Sequence, residues 1–148
     1  MKVYLVDIDP DAVKKSKKNA KKAGVNEQTV SRQMNVENIK FQDCFAHLIV
    51  SRGSFWFWDN KAKGLKEIYR VLKPGGIALI GGGLGRNLPE KYRKPLVEKR
   101  MNRKDDENWV KVRSKEFMKK KINEAGIDSY NLIYENDVCR WAEIRKNN

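Results

Sequence analysis

The stretch from residue 61 to 83, KAKGLKEIYRVLKPGGIALIGGG, most narrows what this chain can fold into. Ala62, Leu65, Ile68, Tyr69 and Leu72 recur at helical spacing and form one apolar stripe, so the segment opens as a helix laid on a core. Asp59 and Asn60 stand where an N-cap is wanted. Lys73 precedes a proline and is pushed out of the helical region. Pro74-Gly75-Gly76 then offers a fixed φ followed by positions free to take φ > 0, which predicts a reversal. Ile77-Ala78-Leu79-Ile80 follows with no polar alternation, as a strand covered on both faces of a parallel sheet does. Gly81-Gly82-Gly83-Leu84-Gly85 comes next and matches neither G-x-G-x-x-G nor a P-loop. It reads as a flexible exit loop.

The same alternation governs the rest of the chain. Residues 2–9, KVYLVDID, predict a buried parallel strand that delivers Asp7 to its carboxyl end, the edge at which open α/β sheets bind ligands. Taken alone, Asp7 serves equally well as a cap for the loop that follows. Asp9 and Pro10 start a helix, Ala12, Val13, Ser16, Ala20 and Ala23 give it a small-residue packing stripe, and Gly24 ends it. Residues 29–34 predict a third segment of strand, and Leu48-Ile49-Val50 a further buried one. Residues 89–104 predict a very basic helix bent at Pro95. Residues 114–125 predict another helix, and residues 130–134 and 138–144 a closing hairpin in which Trp141 packs. The fold class is α/β: a mostly parallel, doubly covered sheet ending in an antiparallel hairpin, in one domain spanning residues 1–148.

Composition narrows the function. The chain has 148 residues, 40% of them hydrophobic and 34% charged, enough for one core. No apolar run approaches the roughly 20 residues that span a bilayer. The N-terminus lacks the charge, long apolar run and cleavage site of a signal peptide. The expected compartment is the cytoplasm. Cys44 and Cys139 form no C-x-x-C pair, and with His47 they fall short of a zinc set, so no metal is expected. Both read as reduced, buried packing residues. The net charge of +13 invites nucleic acid as a partner. The lysines are spread over every helix, however, most densely at Lys14, Lys15, Lys17, Lys18, Lys21 and Lys22, which a solvated face also explains.

EIYRVLKPGGIALI resembles the segment that enters the fifth strand of class I S-adenosylmethionine-dependent methyltransferases, in their small-molecule branch. The order of elements from Val3 to Ile144 resembles strands two through seven of that Rossmann-like fold. The resemblance implies S-adenosylmethionine as cofactor and places its site residue by residue. Asp7, with the acid-rich turn and Pro10 behind it, matches the acid that accepts hydrogen bonds from both ribose hydroxyls, and Ile8 lies near the adenine face. Asn35, with Val36 beside it, stands where the family commonly has an aspartate that receives the adenine amino group; an amide oxygen still accepts that bond, without the charge. Ser51 and Arg52 stand closest to the methionine part of the cofactor. The family's Phe-Asp before the fourth strand is replaced by Ala46-His47, and a lone histidine is a base only with a substrate proton in reach. No catalytic residue is identifiable. Ser54-Phe55-Trp56-Phe57-Trp58 either walls the sulfonium end of the cofactor, by cation–π attraction, or packs the next helix on the sheet.

One family feature has no counterpart at its usual place. The acid and G-x-G-x-G loop that hold the methionine portion lie between the family's first strand and first helix, upstream of the strand matched here by residues 2–9. The expectation is therefore an N-terminally truncated domain whose central strand is missing, between the strands ending at Asp7 and Ser51. Either those two strands pair directly, or a second copy or another partner fills the gap. In this reading S-adenosylmethionine binding by the chain alone is weak or lost. The alternatives to a methyltransferase acting on a small molecule are a non-catalytic interaction subunit that completes its sheet with a partner, and a basic nucleic-acid-binding protein on the same fold.

Overall fold

The computed structural model describes residues 1–84, 88–101, 107–135 and 139–147. Strand β1, Val3–Asp7, and strand β2, Thr29–Gln33, pair in parallel with Val3 beside Thr29 and Asp7 beside Gln33. Helix α1, Pro10–Lys22, makes the crossover between them. Its start is as the residues dictate: Asp9 caps it by accepting from the Asp11 N–H at 2.8 Å, and Pro10 stands in the first turn. Gly24, at φ +69°, turns the chain out of the helix. Val13 and Ala20 are buried, and the Ser16 hydroxyl reaches that of Ser31 on β2 at 2.8 Å. Lys14, Lys15, Lys17, Lys18, Lys21 and Lys22 are all exposed.

A second sheet has the order β3-β4-β6-β5, where β3 is Ala46–Arg52, β4 Leu72–Gly83, β5 Tyr130–Glu135 and β6 Cys139–Arg145. β3 and β4 run parallel, while β6 lies antiparallel to both β4 and β5. Only β6 therefore opposes the common direction, and the C-terminal antiparallel pair predicted from the sequence is present. Helix α2, Lys61–Val71, links β3 to β4, with Asn60 as its cap, accepting from the Lys63 N–H at 3.0 Å. Helices α3, Glu90–Met101, α4, Glu107–Val112, and α5, Lys115–Glu124, precede β5. Pro95 lies inside α3; part of the basic stretch 89–104 falls outside the described residues. The core is built where α2 and α5 meet the second sheet, from Phe55, Leu65, Ile68, Leu72, Ile80, Met118, Ile122 and Ile144.

Several expectations are corrected. Pro74-Gly75-Gly76 makes no reversal between helix and strand. β4 runs through it as a bulge, because Ala46 pairs Leu72 while Leu48 already pairs Ile77. Gly75, at φ +73°, donates its N–H to the Lys146 carbonyl, and Lys146 donates back to Gly76. The described part of the glycine cluster is likewise strand and no exit loop: Gly81, Gly82 and Gly83 pair with Trp141, Arg140 and Cys139. Glycine is required there by close approach, since a Cβ on Gly81 would lie 2.0 Å from the Arg140 carbonyl oxygen. β3 is not buried: Leu48 and Val50 are 60% and 58% exposed, because its second edge carries no strand among the described residues. Cys139 is buried as expected, but Cys44 is exposed, in a turn at φ +54°. Trp141 is half-buried on β6.

Candidate cofactor site at the open strand edges

The C-terminal ends of β1, β2 and β3 carry the residues singled out by the sequence. Asp7 ends β1 with its carboxylate exposed, and its Oδ1 accepts from the Asp9 N–H at 3.0 Å. One oxygen thus serves as the loop cap. A carboxylate has about four acceptor positions, so the group retains capacity for a ligand hydroxyl. The Asp7 carbonyl accepts from the Met34 N–H at 2.9 Å, and the Gln33 Nε2 donates to the Ile8 carbonyl at 3.0 Å. These two bonds stitch the turn after β1 to the turn after β2, so Asp7 and Asn35 are brought to one edge. Ile8 stands 61% exposed above it.

Asn35 opens a tight turn. Its Oδ1 accepts from the Glu37 N–H at 2.8 Å, and its carbonyl accepts from the Asn38 N–H at 3.0 Å. Val36 is half-buried against the core. The Ser51 hydroxyl near the end of β3 and that of Ser54 just beyond it bond one another, and the Trp58 indole N–H donates to Ser54 Oγ at 3.2 Å. The Arg52 guanidinium donates to the Gly83 carbonyl at 3.1 Å, which leaves further N–H groups on an exposed side chain.

The aromatic run resolves in favour of packing. Phe55, Trp56 and Trp58 are buried in the core, and a Cβ on Gly64 would meet the Trp58 ring at 2.8 Å, so this glycine seats the indole on α2. Phe57 alone of the four aromatics stands out, 71% exposed. His47 lies near the start of β3, about 13 Å of strand below Ser51, with Nε2 3.4 Å from the Lys73 ammonium. It is remote from this edge and is no base for it. No cluster of three metal-ligating side chains occurs among the described residues.

Sequence reasoning missed the support behind the site. Glu67 accepts from the Ile39 N–H at 3.0 Å, and Arg70 donates to the Ile39 and Phe41 carbonyls at 2.9 and 3.0 Å. Glu37 accepts from the Asn60 N–H at 2.8 Å. The only sequence signal was the i,i+3 spacing of Glu67 and Arg70 in the EIYRVLKPGG segment, which also fits a plain surface ion pair. The Arg70 hydrogen bonds hold the Glu67 carboxyl below the usual carboxylate range, against a smaller opposing effect of burial.

The residues present fit the nucleoside part of S-adenosylmethionine, with a carboxylate for ribose hydroxyls and an amide oxygen for an amine. For the methionine part they offer a hydroxyl and a guanidinium, those of Ser51 and Arg52. A family model described as a methyltransferase domain matches residues 1–80, from the start of β1 through Ile80 of β4. The chain belongs to that family. A solved structure of Methanococcus maripaludis, assigned as an S-adenosylmethionine-dependent methyltransferase, is 32% identical and superposes with TM-score 0.79, over 98% of this chain and 67% of its own. The domain is thus of the class I, Rossmann-like type that the resemblance implied. "Uncharacterized methyltransferase YdaC" of Bacillus subtilis is 31% identical over 75 residues, 51% of this chain and 39% of that protein. The "Ubiquinone/menaquinone biosynthesis C-methyltransferase UbiE" of Pectobacterium carotovorum is 32% identical over 78 residues, 53% of this chain and 31% of its own. The methyltransferase domain therefore matches well under half the length of these curated relatives.

Proposed function

We propose that this methyltransferase domain supplies the nucleoside-binding half of an S-adenosylmethionine site, and that a strand seated between β1 and β3 completes it. The observation that carries the reading is the pair of open edges. β1 pairs only with β2 and β3 only with β4 among the described residues, while Tyr4 of β1 touches Phe45, just before β3, with ring centroids 5.2 Å apart. The two edges are thus tied at one end. Along them stand Val3, Val6, Leu48 and Val50, all exposed. Burying a side chain of this kind stabilises by about 1.5–3 kcal/mol, and an inserted parallel strand would also pair both rows of main-chain groups.

In this reading Asp7 accepts the ribose hydroxyls, Ile8 flanks the adenine, and Asn35 beside Val36 accepts its amino group. Ser51 and Arg52 face the methionine end. S-adenosylmethionine, when bound, supplies a methyl group on an electrophilic sulfonium. The residues of this chain orient it and exclude water, which suffices where an aligned acceptor needs no base. The strand comes from a second copy, from a partner or from further sequence of the same protein. Sedimentation from micromolar to millimolar concentration tests the open edges. Self-association is the expected outcome, and a monomer throughout, with no strand-supplying partner, contradicts it.

A further inference from the structure

The turn that carries Asn35 and Val36 is fastened to α2 at two heights. At the helix start, Glu37 accepts from the Asn60 N–H at 2.8 Å while its own N–H donates to Asn35 Oδ1 at 2.8 Å. Near the helix end, Glu67 and Arg70 form a two-point pair, Nε to Oε1 at 2.8 Å and Nη2 to Oε2 at 2.9 Å. The pair then grips the loop: Glu67 takes the Ile39 N–H, and Arg70 gives to the carbonyls of Ile39 and Phe41 and to the Asp43 carboxylate at 2.6 Å. A planar guanidinium with five N–H groups makes this set possible; an ammonium has neither the fork nor the reach. Main-chain groups 28 to 31 residues from Glu67 and Arg70 in sequence are thereby satisfied by these two side chains.

We infer that Glu37 and the Glu67–Arg70 pair are positioning residues, which set adenine recognition by holding the Asn35 turn at the strand edge. The inference rests on the nucleoside reading above and adds that the affinity is controlled from α2. A loop held only for stability would leave base discrimination untouched when loosened. A loop that aims the Asn35 amide would not.

The test is nuclear magnetic resonance titration of the full chain with adenosine and with inosine, which lacks the amino group, together with amide hydrogen exchange. Arg70→Lys, Glu67→Gln and Glu37→Ala are compared with Glu37→Gln, which keeps the acceptor. Expected are exchange about tenfold faster at residues 36–39 with β1 and β2 unchanged, and adenosine binding weakened about fivefold, the worth of one hydrogen bond. The adenosine-over-inosine preference falls with it, and Glu37→Gln stays near the parent. Faster exchange with adenosine affinity and preference intact overturns the inference and leaves the nucleoside reading standing. A parent chain whose Asp7 and Asn35 amides do not respond to adenosine at about 10 mM overturns both. Should Arg70→Lys lose protection in β1 and β2, Glu67→Gln decides, since it keeps the side-chain volume.

Discussion

Two carboxylates do different work, one at the edge where β1 ends and one on α2. Asp7 is exposed and spends one oxygen on the Asp9 N–H, so its remaining acceptor positions face solvent. In a sheet-completed form of the protein, Asp7→Ala is expected to weaken S-adenosylmethionine binding about 100-fold, as the loss of charge-assisted bonds to two hydroxyls implies. Calorimetry on the variant measures it. Glu67 is spent on the fold itself. Its folded-state pKa lies below the unfolded value because of the Arg70 hydrogen bonds. Its contribution to stability is therefore complete above the unfolded value of about 4.3 and is lost as pH falls through the lower folded value. Glu67→Gln should melt below the parent at neutral pH, and the difference should shrink on acidification below that point; a constant difference would refute the assignment. The place of Asp7 at the end of β1 was legible in the sequence because strand, acid and proline are contiguous. The roles of Glu67 and Arg70 were not, since their partners are main-chain atoms about 30 residues away and no spacing rule connects them.

At the scale of elements, helix boundaries, Gly24 among them, followed from local chemistry, and the roles of the glycines within β4 did not. The caps Asp9, Asn60 and Ser114 each accept a first-turn N–H as their residue types dictate. The glycines at 75 and 81–83 looked like a turn and a loop because flexibility is the property a sequence displays. What the fold uses is the missing side chain, which lets β4 bulge past Lys146 and run close under β6. Two substitutions separate these uses. Gly53 has φ +82° and nothing within 4 Å of a built Cβ, so Gly53→Ala should cost only the left-handed strain, about 1–2 kcal/mol. Gly81 has φ +151° and a Cβ on it would overlap the Arg140 carbonyl, so Gly81→Ala should cost about 2–5 kcal/mol or prevent folding. Denaturant unfolding of the two variants checks the order, and equal losses would show that β4 and β6 relax apart. The aromatic run after β3 carried a similar ambiguity, since a tryptophan looks the same in a sequence whether it meets a ligand or a helix. Gly64 under Trp58 decides for the helix.

The described residues form a methyltransferase sheet in two pieces, β1-β2 and β3-β4-β6-β5, with the candidate site residues at or just past the ends of β1, β2 and β3. The family and the mostly parallel sheet with its antiparallel end were legible from one segment and one alternation pattern, because fold signatures are local in sequence. The exposure of β3 was not: a strand built to be covered on both faces has the same apolar run whether or not its neighbour is present. The central proposal is that this domain supplies the nucleoside half of the site, and that main-chain donors for the methionine half come with the strand that completes the sheet. Losing two or three charge-assisted hydrogen bonds at about 1.5–3 kcal/mol each takes a micromolar site to millimolar or weaker, because about 1.4 kcal/mol is tenfold. The direct measurement is calorimetric titration of the chain with S-adenosylmethionine, alone and after fusion to an apolar strand that ends in a G-x-G-x-G turn. The account predicts weak or undetectable heat from the chain alone and micromolar binding from the fusion. A low-micromolar dissociation constant for the chain alone would contradict it.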